Sequence, residues 1–381
     1  MKLILKKIYY SLFVLIPLCV LMFLGFCLDI RKNESQLESR RLSVMPQNPF
    51  AQRKELEAYI SDHIPFREKI LTVYFSLNLK LASLNTQSIV GKENWIFLVK
   101  NPVQYNLPVL KSYQNYKLLT HTEQEKIIEN LKYIKKWCDE NNVKFYLMFP
   151  PDKSRIYNRF MPDFILRKNN DSPVVQLKKQ IPKDITIVPL EKEMIELSFQ
   201  NNELLYYKDE SHWSEEGAYF AYQQLMKKIK EDFSKIKTLS RDDFFITKTL
   251  PYRPYDVGRY PKIGKGNQYQ PKLTEKYITY NHFTYKKKND IQVHWDKNFR
   301  HSTYNNGQQF NVYIIGDSYA TYLHHFLSAT FQRVRAFRFN MPKEKWGIQF
   351  NERIKEFNVE KPNILILSVS DLKIKDLLKV K

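Results

Sequence analysis

"NVYIIGDSYA", residues 311–320, is the stretch on which the fold turns. Residues 311–316 form a short apolar run ending at Gly316, the pattern of a strand buried on both faces of a parallel sheet. Asp317, Ser318 and Tyr319 then fall at a strand-to-helix turn. That turn puts a serine at the carboxyl edge of the sheet, where open α/β folds hold their ligands. A helix start there also aims backbone N–H groups at developing negative charge. Two readings of the turn are open from the sequence. Ser318 is a nucleophile with Gly316 and Asp317 shaping its turn, or Asp317 merely caps a helix and Ser318 is simply small. Glycine is scarce, 9 in 381 residues, so Gly316 in this setting carries some weight.

Working outward, other apolar runs of strand length recur: "VKFYLMF" (143–149), "ITIVPL" (185–190) and "NILILSVS" (363–370). Helical patterns separate them. Thr120 and Glu123 have capping-box spacing, and Ile127, Leu131, Ile134 and Cys138 follow at helical period. "SIVGKENWIFL" (88–98) reads as a turn between two short strands. Alternating strands and helices predict an α/β sheet covered on both faces. Residues 235–310 break the pattern, being polar, aromatic and basic, and read as an insertion.

A serine hydroxyl needs a base, and the base needs an acid to hold its tautomer. "YYKDESHWSEEGAYFAY" (206–222) offers His212 with Asp209 and Glu210 just before it. Ser214 then reads as an N-cap with Glu215 and Glu216 in the first helical turn. The plainer reading of His212 is a half-buried histidine beside a core tryptophan, Trp213. Metal binding is a poorer use of the 8 histidines: none has H-E-x-x-H spacing, and His324 and His325 are adjacent.

The N-terminus bears on location. Lys2, Lys6 and Lys7 precede residues 8–28, which carry no charge and are long enough to span a bilayer. The expectation is a cytoplasmic tail (1–7), a transmembrane signal anchor (8–28), a tether and helical lead-in (29–85) and a domain (86–381) outside the cytoplasm. Arg31 and Lys32 beyond the run weigh slightly against that orientation. Of 3 cysteines, Cys19 and Cys27 lie in the apolar run, so Cys138 has no exported partner for a disulfide. With 61 Lys+Arg against 40 Asp+Glu the chain has a net charge of +21 and suits an anionic partner. Outside the membrane that excludes nucleic acid and favours glycans or lipids.

Taken together, these motifs resemble the SGNH-hydrolase-like O-acetyltransferases of the AlgX/AlgJ and DHHW type. An acid-x-His-Trp motif (210–213) precedes Gly-Asp-Ser-Tyr (316–319), the permuted order of that family. "SDHIPFREKI" (61–70), "GKENWIFL" (91–98), "PPDKSRIY" (150–157) and "EKPNILILSVSD" (360–371) are similar to its other segments and occur in the same order. Asn94 stands where the family has glycine, and Glu210 where it usually has aspartate; Asp209 keeps the Asp-x-x-His spacing of ordinary SGNH esterases. The resemblance implies a three-layer, flavodoxin-like α/β domain with a parallel sheet. It also implies Ser318 as nucleophile, His212 as base, Glu210 or Asp209 as acid, Gly316, Asp317 and Tyr319 in the nucleophile turn, and Lys153 and Trp213 near the substrate pocket.

The chemistry so implied is acetyl transfer through an acyl-serine, without cofactor or metal, onto a polysaccharide that can be anionic. The acetyl donor would be a multispanning O-acyltransferase in the bacterial inner membrane. The alternatives are an acetylesterase with the same triad, and a non-catalytic glycan-binding subunit.

Overall fold

The computed structural model describes residues 34–35, 40–48, 51–64, 88–98, 110, 113–115, 118–163, 165–167, 171–200, 203–208, 210–249, 280–295, 299–338 and 350–380. The proposed anchor, 8–28, lies outside them; among the described residues no helix is long and apolar enough to cross a membrane.

The chain divides into two compact units, residues 1–85 with 253–276, and residues 86–252 with 277–381. In the first, β1 (Glu34–Ser35) pairs antiparallel with β2 (Arg40–Arg41). Helix α1 (Arg53–Asp62) stops short of Pro65, and its buried Asp62 accepts bonds from the Ser43 amide and hydroxyl, both 2.8 Å. The helical pattern expected beyond Pro65 falls outside the described residues.

The second unit opens with the expected hairpin, β3 (Ser88–Val90) against β4 (Ile96–Leu98). Helix α2 (His121–Glu140) follows, started by the Thr120–Glu123 capping box. Then come β5 (Lys144–Met148), the short α3 (Lys153–Ile156), α4 (Pro173–Lys178), β6 (Thr186–Val188), α5 (Glu191–Gln200) and α6 (Glu215–Asp232), which Ser214 caps. The remaining elements are β7 (Phe244–Thr249), β8 (Tyr280–Tyr285), β9 (Ile291–Trp295), β10 (Phe299–Tyr304), β11 (Gln308–Gly316), α7 (Ser318–Thr330), β12 (Phe331–Arg338), α8 (Phe350–Val359) and β13 (Ile364–Ser368).

Seven strands make the main sheet in the order β6-β5-β13-β11-β12-β10-β9. The first five are mutually parallel, and β10 and β9 add antiparallel at one edge. Strand periodicity explains the three layers. Tyr146, Met148, Val312, Ile314, Ile364 and Ile366 join one core cluster with residues of α6 and α7. Their neighbours Phe145, Leu147, Tyr313, Ile315, Leu365 and Leu367 join the other, with α2, α4 and α8. Alternate side chains point to opposite faces, so a strand apolar at every position needs a cover on both.

The stretch read as an insertion, 235–310, corrects the sequence reading in part. β9 and β10 belong to the main sheet, and β7–β8 is a separate hairpin whose Phe244 and Phe283 pack on Tyr219 and Phe326.

His324, on the inner side of α7, is buried, and burial together with the nearby Arg300 charge holds its pKa down at about 3. The unfolded chain protonates this histidine first, so its contribution to stability is full above about pH 6.5 and is lost as pH falls toward 3. At about pH 5 the loss amounts to about 2 kcal/mol. Urea denaturation at neutral pH and at about pH 5 is expected to show a larger drop in wild type than in His324→Gln. Equal drops would remove His324 as the cause.

Candidate active site

The nucleophile turn is built by close approach. At Gly316 a Cβ would sit 2.6 Å from the Ala320 Cβ and 3.0 Å from the Ser368 carbonyl oxygen, so only glycine lets β11 pass into α7 here. Asp317 is buried and uses both carboxylate oxygens. Oδ1 accepts from the Tyr319 amide at 3.0 Å, capping α7, and Oδ2 accepts from the Ser370 amide at 2.9 Å. Asp317 thus locks the turn to the loop after β13, and Ser318 is left as the first helical residue. Both sequence readings of the turn meet here, since the cap is what presents the serine.

The loop carrying the histidine is pinned at its ends. Tyr206 and Trp213 form an antiparallel bridge, and Ser214 donates from its amide to the Leu205 carbonyl at 2.9 Å. Trp213 is fully buried and meets the Tyr319 ring edge-on at 4.9 Å. The Tyr319 hydroxyl donates to the Ser211 carbonyl at 3.0 Å, tying the serine helix to the histidine loop.

Those ties bring Ser318 and His212 together. The Ser318 Oγ lies 2.6 Å from His212 Nε2, and His212 Nδ1 lies 2.5 Å from Glu210 Oε1. A carboxylate only accepts, so the network assigns the imidazole proton to Nδ1 and leaves Nε2 to accept from the serine. Glu210 is buried, while the His212 side chain keeps 18% of its surface exposed, so the relay runs from a dry acid to a reachable base. Tyr322 lies over the imidazole, with ring centroids 6.1 Å apart. Glu210, one of the two candidate acids, is in contact; Asp209 lies outside the described residues.

Lys153 and Trp213, expected near the substrate pocket, are both buried. Lys153 is 2% exposed, and its ammonium donates to the carbonyls of Ile96 (2.5 Å), Lys208 (3.1 Å) and Tyr207 (3.3 Å). One lysine therefore fastens the β3–β4 hairpin and the approach to Glu210 onto the loop after β5. Removing it takes a charged donor from these carbonyls, of which that of Lys208 keeps the Ile96 amide at 3.0 Å; each buried group left unsatisfied costs about 1–3 kcal/mol. Lys153→Met is expected to lower the melting temperature by several degrees, read by calorimetry. An unchanged melting temperature would contradict this role.

The same loop holds partners that the sequence did not reveal. Asp152 caps α3 through the Ser154 amide at 2.9 Å. Buried Arg155 reaches Asp371 in an ion pair of 2.5 Å and donates to Asn115 Oδ1 at 2.9 Å. Burial pushes the Asp371 carboxyl above its usual range, against the pull of the Arg155 charge. The segments containing Arg155 and Asp371 stand out in the sequence, but nothing in their spacing shows that the two residues meet. Among the described residues no group of three or more metal-ligating side chains converges.

A serine on a strand-to-helix turn, a histidine and a carboxylate, gathered at the carboxyl edge of a mostly parallel sheet, define an SGNH-hydrolase-like site. The family described as the SGNH hydrolase-like domain of the acetyltransferase AlgX matches residues 89–335, and the chain belongs to that family. Among solved structures, Bacillus cereus PatB1, in a structure with a sulfonyl adduct, is similar at a TM-score of 0.55 and 17% identity, over 78% of this chain and 100% of that one. A DHHW family protein from Eubacterium siraeum is similar at a TM-score of 0.50 and 12% identity, over 78% of this chain and 96% of that one. At these identities the likeness is one of fold. No curated protein matches the chain by sequence.

Proposed function

We propose that this protein is a serine-dependent O-acetyltransferase that modifies an exported or cell-surface polysaccharide. The observation that carries the reading is the continuous relay from Glu210 through His212 to Ser318 in a chain of the AlgX acetyltransferase family.

In the first half-reaction His212 Nε2 takes the Ser318 proton as Oγ attacks the acetyl carbonyl of the donor. The Ser318 amide, at the start of α7, serves the oxyanion, and Glu210 stabilises the imidazolium that forms. The imidazolium then returns its proton to the departing donor, leaving acetyl-Ser318. In the second half-reaction His212 deprotonates a sugar hydroxyl, which attacks the acetyl-serine; the acyl–Oγ bond breaks and the imidazolium returns the proton to Ser318 Oγ, regenerating the free enzyme. The residues present need no cofactor for either step.

We place the protein in the bacterial inner membrane through residues 8–28, with the domain outside the cytoplasm and a multispanning O-acyltransferase as donor. That placement rests on the uncharged run and on the three lysines before it.

Product partition tests the reading. The full chain, given a chromogenic acetyl ester and oligosaccharides, should place acetyl on sugar in competition with water. Free acetate alone, at a rate indifferent to every sugar, would make it an esterase. No ester turnover would leave a glycan-binding subunit.

A further inference from the structure

Strands β5, β13 and β11 are neighbours in the sheet, so the loops at their carboxyl ends lie side by side. Those loops are linked one to the next, starting from the nucleophile turn. Asp317 Oδ2 accepts from the Ser370 amide at 2.9 Å, and the following amide, of Asp371, donates to the Pro150 carbonyl at 3.3 Å. Pro150 opens the loop that also reaches the histidine segment. The Pro151 carbonyl accepts from the Tyr206 hydroxyl at 2.5 Å, and Lys153 donates to the carbonyls of Tyr207 and Lys208. Residues 150–155 therefore touch both the support of Ser318 and the approach to Glu210 and His212. The direct tie from the Tyr319 hydroxyl to the Ser211 carbonyl joins the same two parts at one point. One hydrogen bond leaves rotation about it open, and a second route through residues 150–155 removes that freedom.

The side chains on the second route are charged and dry. Arg155 and Asp371 each keep 3% of their side-chain surface, and Nε meets Oδ2 at 2.5 Å. This is an ion pair without a hydrogen bond, since neither Asp371 oxygen accepts one from the described residues. Arg155 Nη2 donates to Asn115 Oδ1 at 2.9 Å, and Nη1 lies 3.8 Å from Glu191 Oε1. The buried Asp152 adds another negative charge nearby. One guanidinium is thus shared among carboxylates, and burial outweighs its pull on Asp371, whose pKa stands at about 7. A buried pair so weakly compensated contributes little to stability, and well-packed apolar side chains would serve the fold as well. Its place in the fold suggests another use, because Asp371 directly follows the residue whose amide anchors Asp317.

We propose that Arg155 and Asp371 are positioning residues, their ion pair setting the angle at which the nucleophile turn presents Ser318 Oγ to His212 Nε2. The proposal rests on the reading of Ser318 as the nucleophile of acyl transfer. Both residues act through the Asp317 turn rather than on the reacting atoms, and a displacement of about 1 Å passed on to the serine costs about a hundredfold in rate.

The test follows turnover of a chromogenic acetyl ester by the full chain in detergent micelles, together with the melting temperature of each variant. Asp371→Asn should lower kcat about tenfold to a hundredfold and leave KM within about twofold. Arg155→Lys keeps the charge without the planar fork and should lose less. Arg155→Met combined with Asp371→Leu removes both buried charges, so it should melt near the wild-type temperature and yet stay as slow as Asp371→Asn. Wild-type kcat in Asp371→Asn, or a loss that tracks melting temperature and vanishes in the double variant, would make the pair structural and overturn the proposal. Should the double variant not fold, the kcat-against-KM split in Asp371→Asn and the partial recovery in Arg155→Lys decide the matter. A second measurement, the rate at which phenylmethylsulfonyl fluoride adds to Ser318, read by intact mass, separates this proposal from the acetyltransferase reading. Fast labelling of a wild type that transfers no acetyl, with slow labelling of Asp371→Asn, would keep the positioning pair and sink the transferase reading. Equal labelling of the two overturns the pair, and a wild type that neither labels nor turns over ester overturns both.

Discussion

Ser318→Ala is expected to lower acetyl transfer by about ten-thousandfold or more, because nothing else in the relay can carry the acyl group. The effect should fall on chemistry and spare the fold. Ser318 opens α7, but its cap is the Asp317 carboxylate, which the substitution leaves in place. The one side-chain bond lost is that to His212. A melting temperature close to wild type, with transfer from an acetyl ester to oligosaccharide abolished, is the outcome that assigns the reaction to this hydroxyl. Transfer that persists within about tenfold of wild type would move the nucleophile elsewhere.

Glu210→Gln should cost nearly as much, about a thousandfold or more in kcat, although it removes no atom from the contact with His212. The amide carries no charge to stabilise the imidazolium. Its N–H also donates to Nδ1, which shifts the imidazole proton to Nε2, where it blocks acceptance from Ser318. Glu210→Asp keeps the charge and shortens the reach by one methylene, so it should fall between the two. Rates measured at saturating ester separate these effects from binding. If Glu210→Gln keeps wild-type kcat while Asp209→Asn loses it, the acid is Asp209.

The sequence revealed some of this architecture well, and the reasons are physical. β5, β13 and the second half of β11 (312–315) are apolar at nearly every position because a parallel strand is covered on both faces, and such runs need no context to recognise. Edge strands lack that signature. β9 and β10, at one edge of the sheet, are largely polar and so blend into the stretch that reads as an insertion, 235–310. Ser318 and His212 could be found because each sits next to a recognisable element. The choice between Asp209 and Glu210 is open in the sequence, since both spacings can serve an imidazole; the contact of Glu210 with His212 depends on the fold of its loop. Lys153 shows the opposite failure. Lysine is expected at a surface, and its three carbonyl partners come from segments far apart in sequence. The meeting of Arg155 with Asp371, and of Asp317 with the Ser370 amide, depends on strand register, which no local pattern encodes.

The most direct test of the central claim is peptide-mapping mass spectrometry of the full chain after brief exposure to an acetyl ester without acceptor. The account predicts one acetyl group on the peptide that contains Ser318, absent from Ser318→Ala and His212→Ala, and discharged when a competent oligosaccharide is added. Acetyl trapped at another residue, or ester turnover by wild type with an unmodified Ser318 under rapid acid quench, would contradict an acyl-serine mechanism.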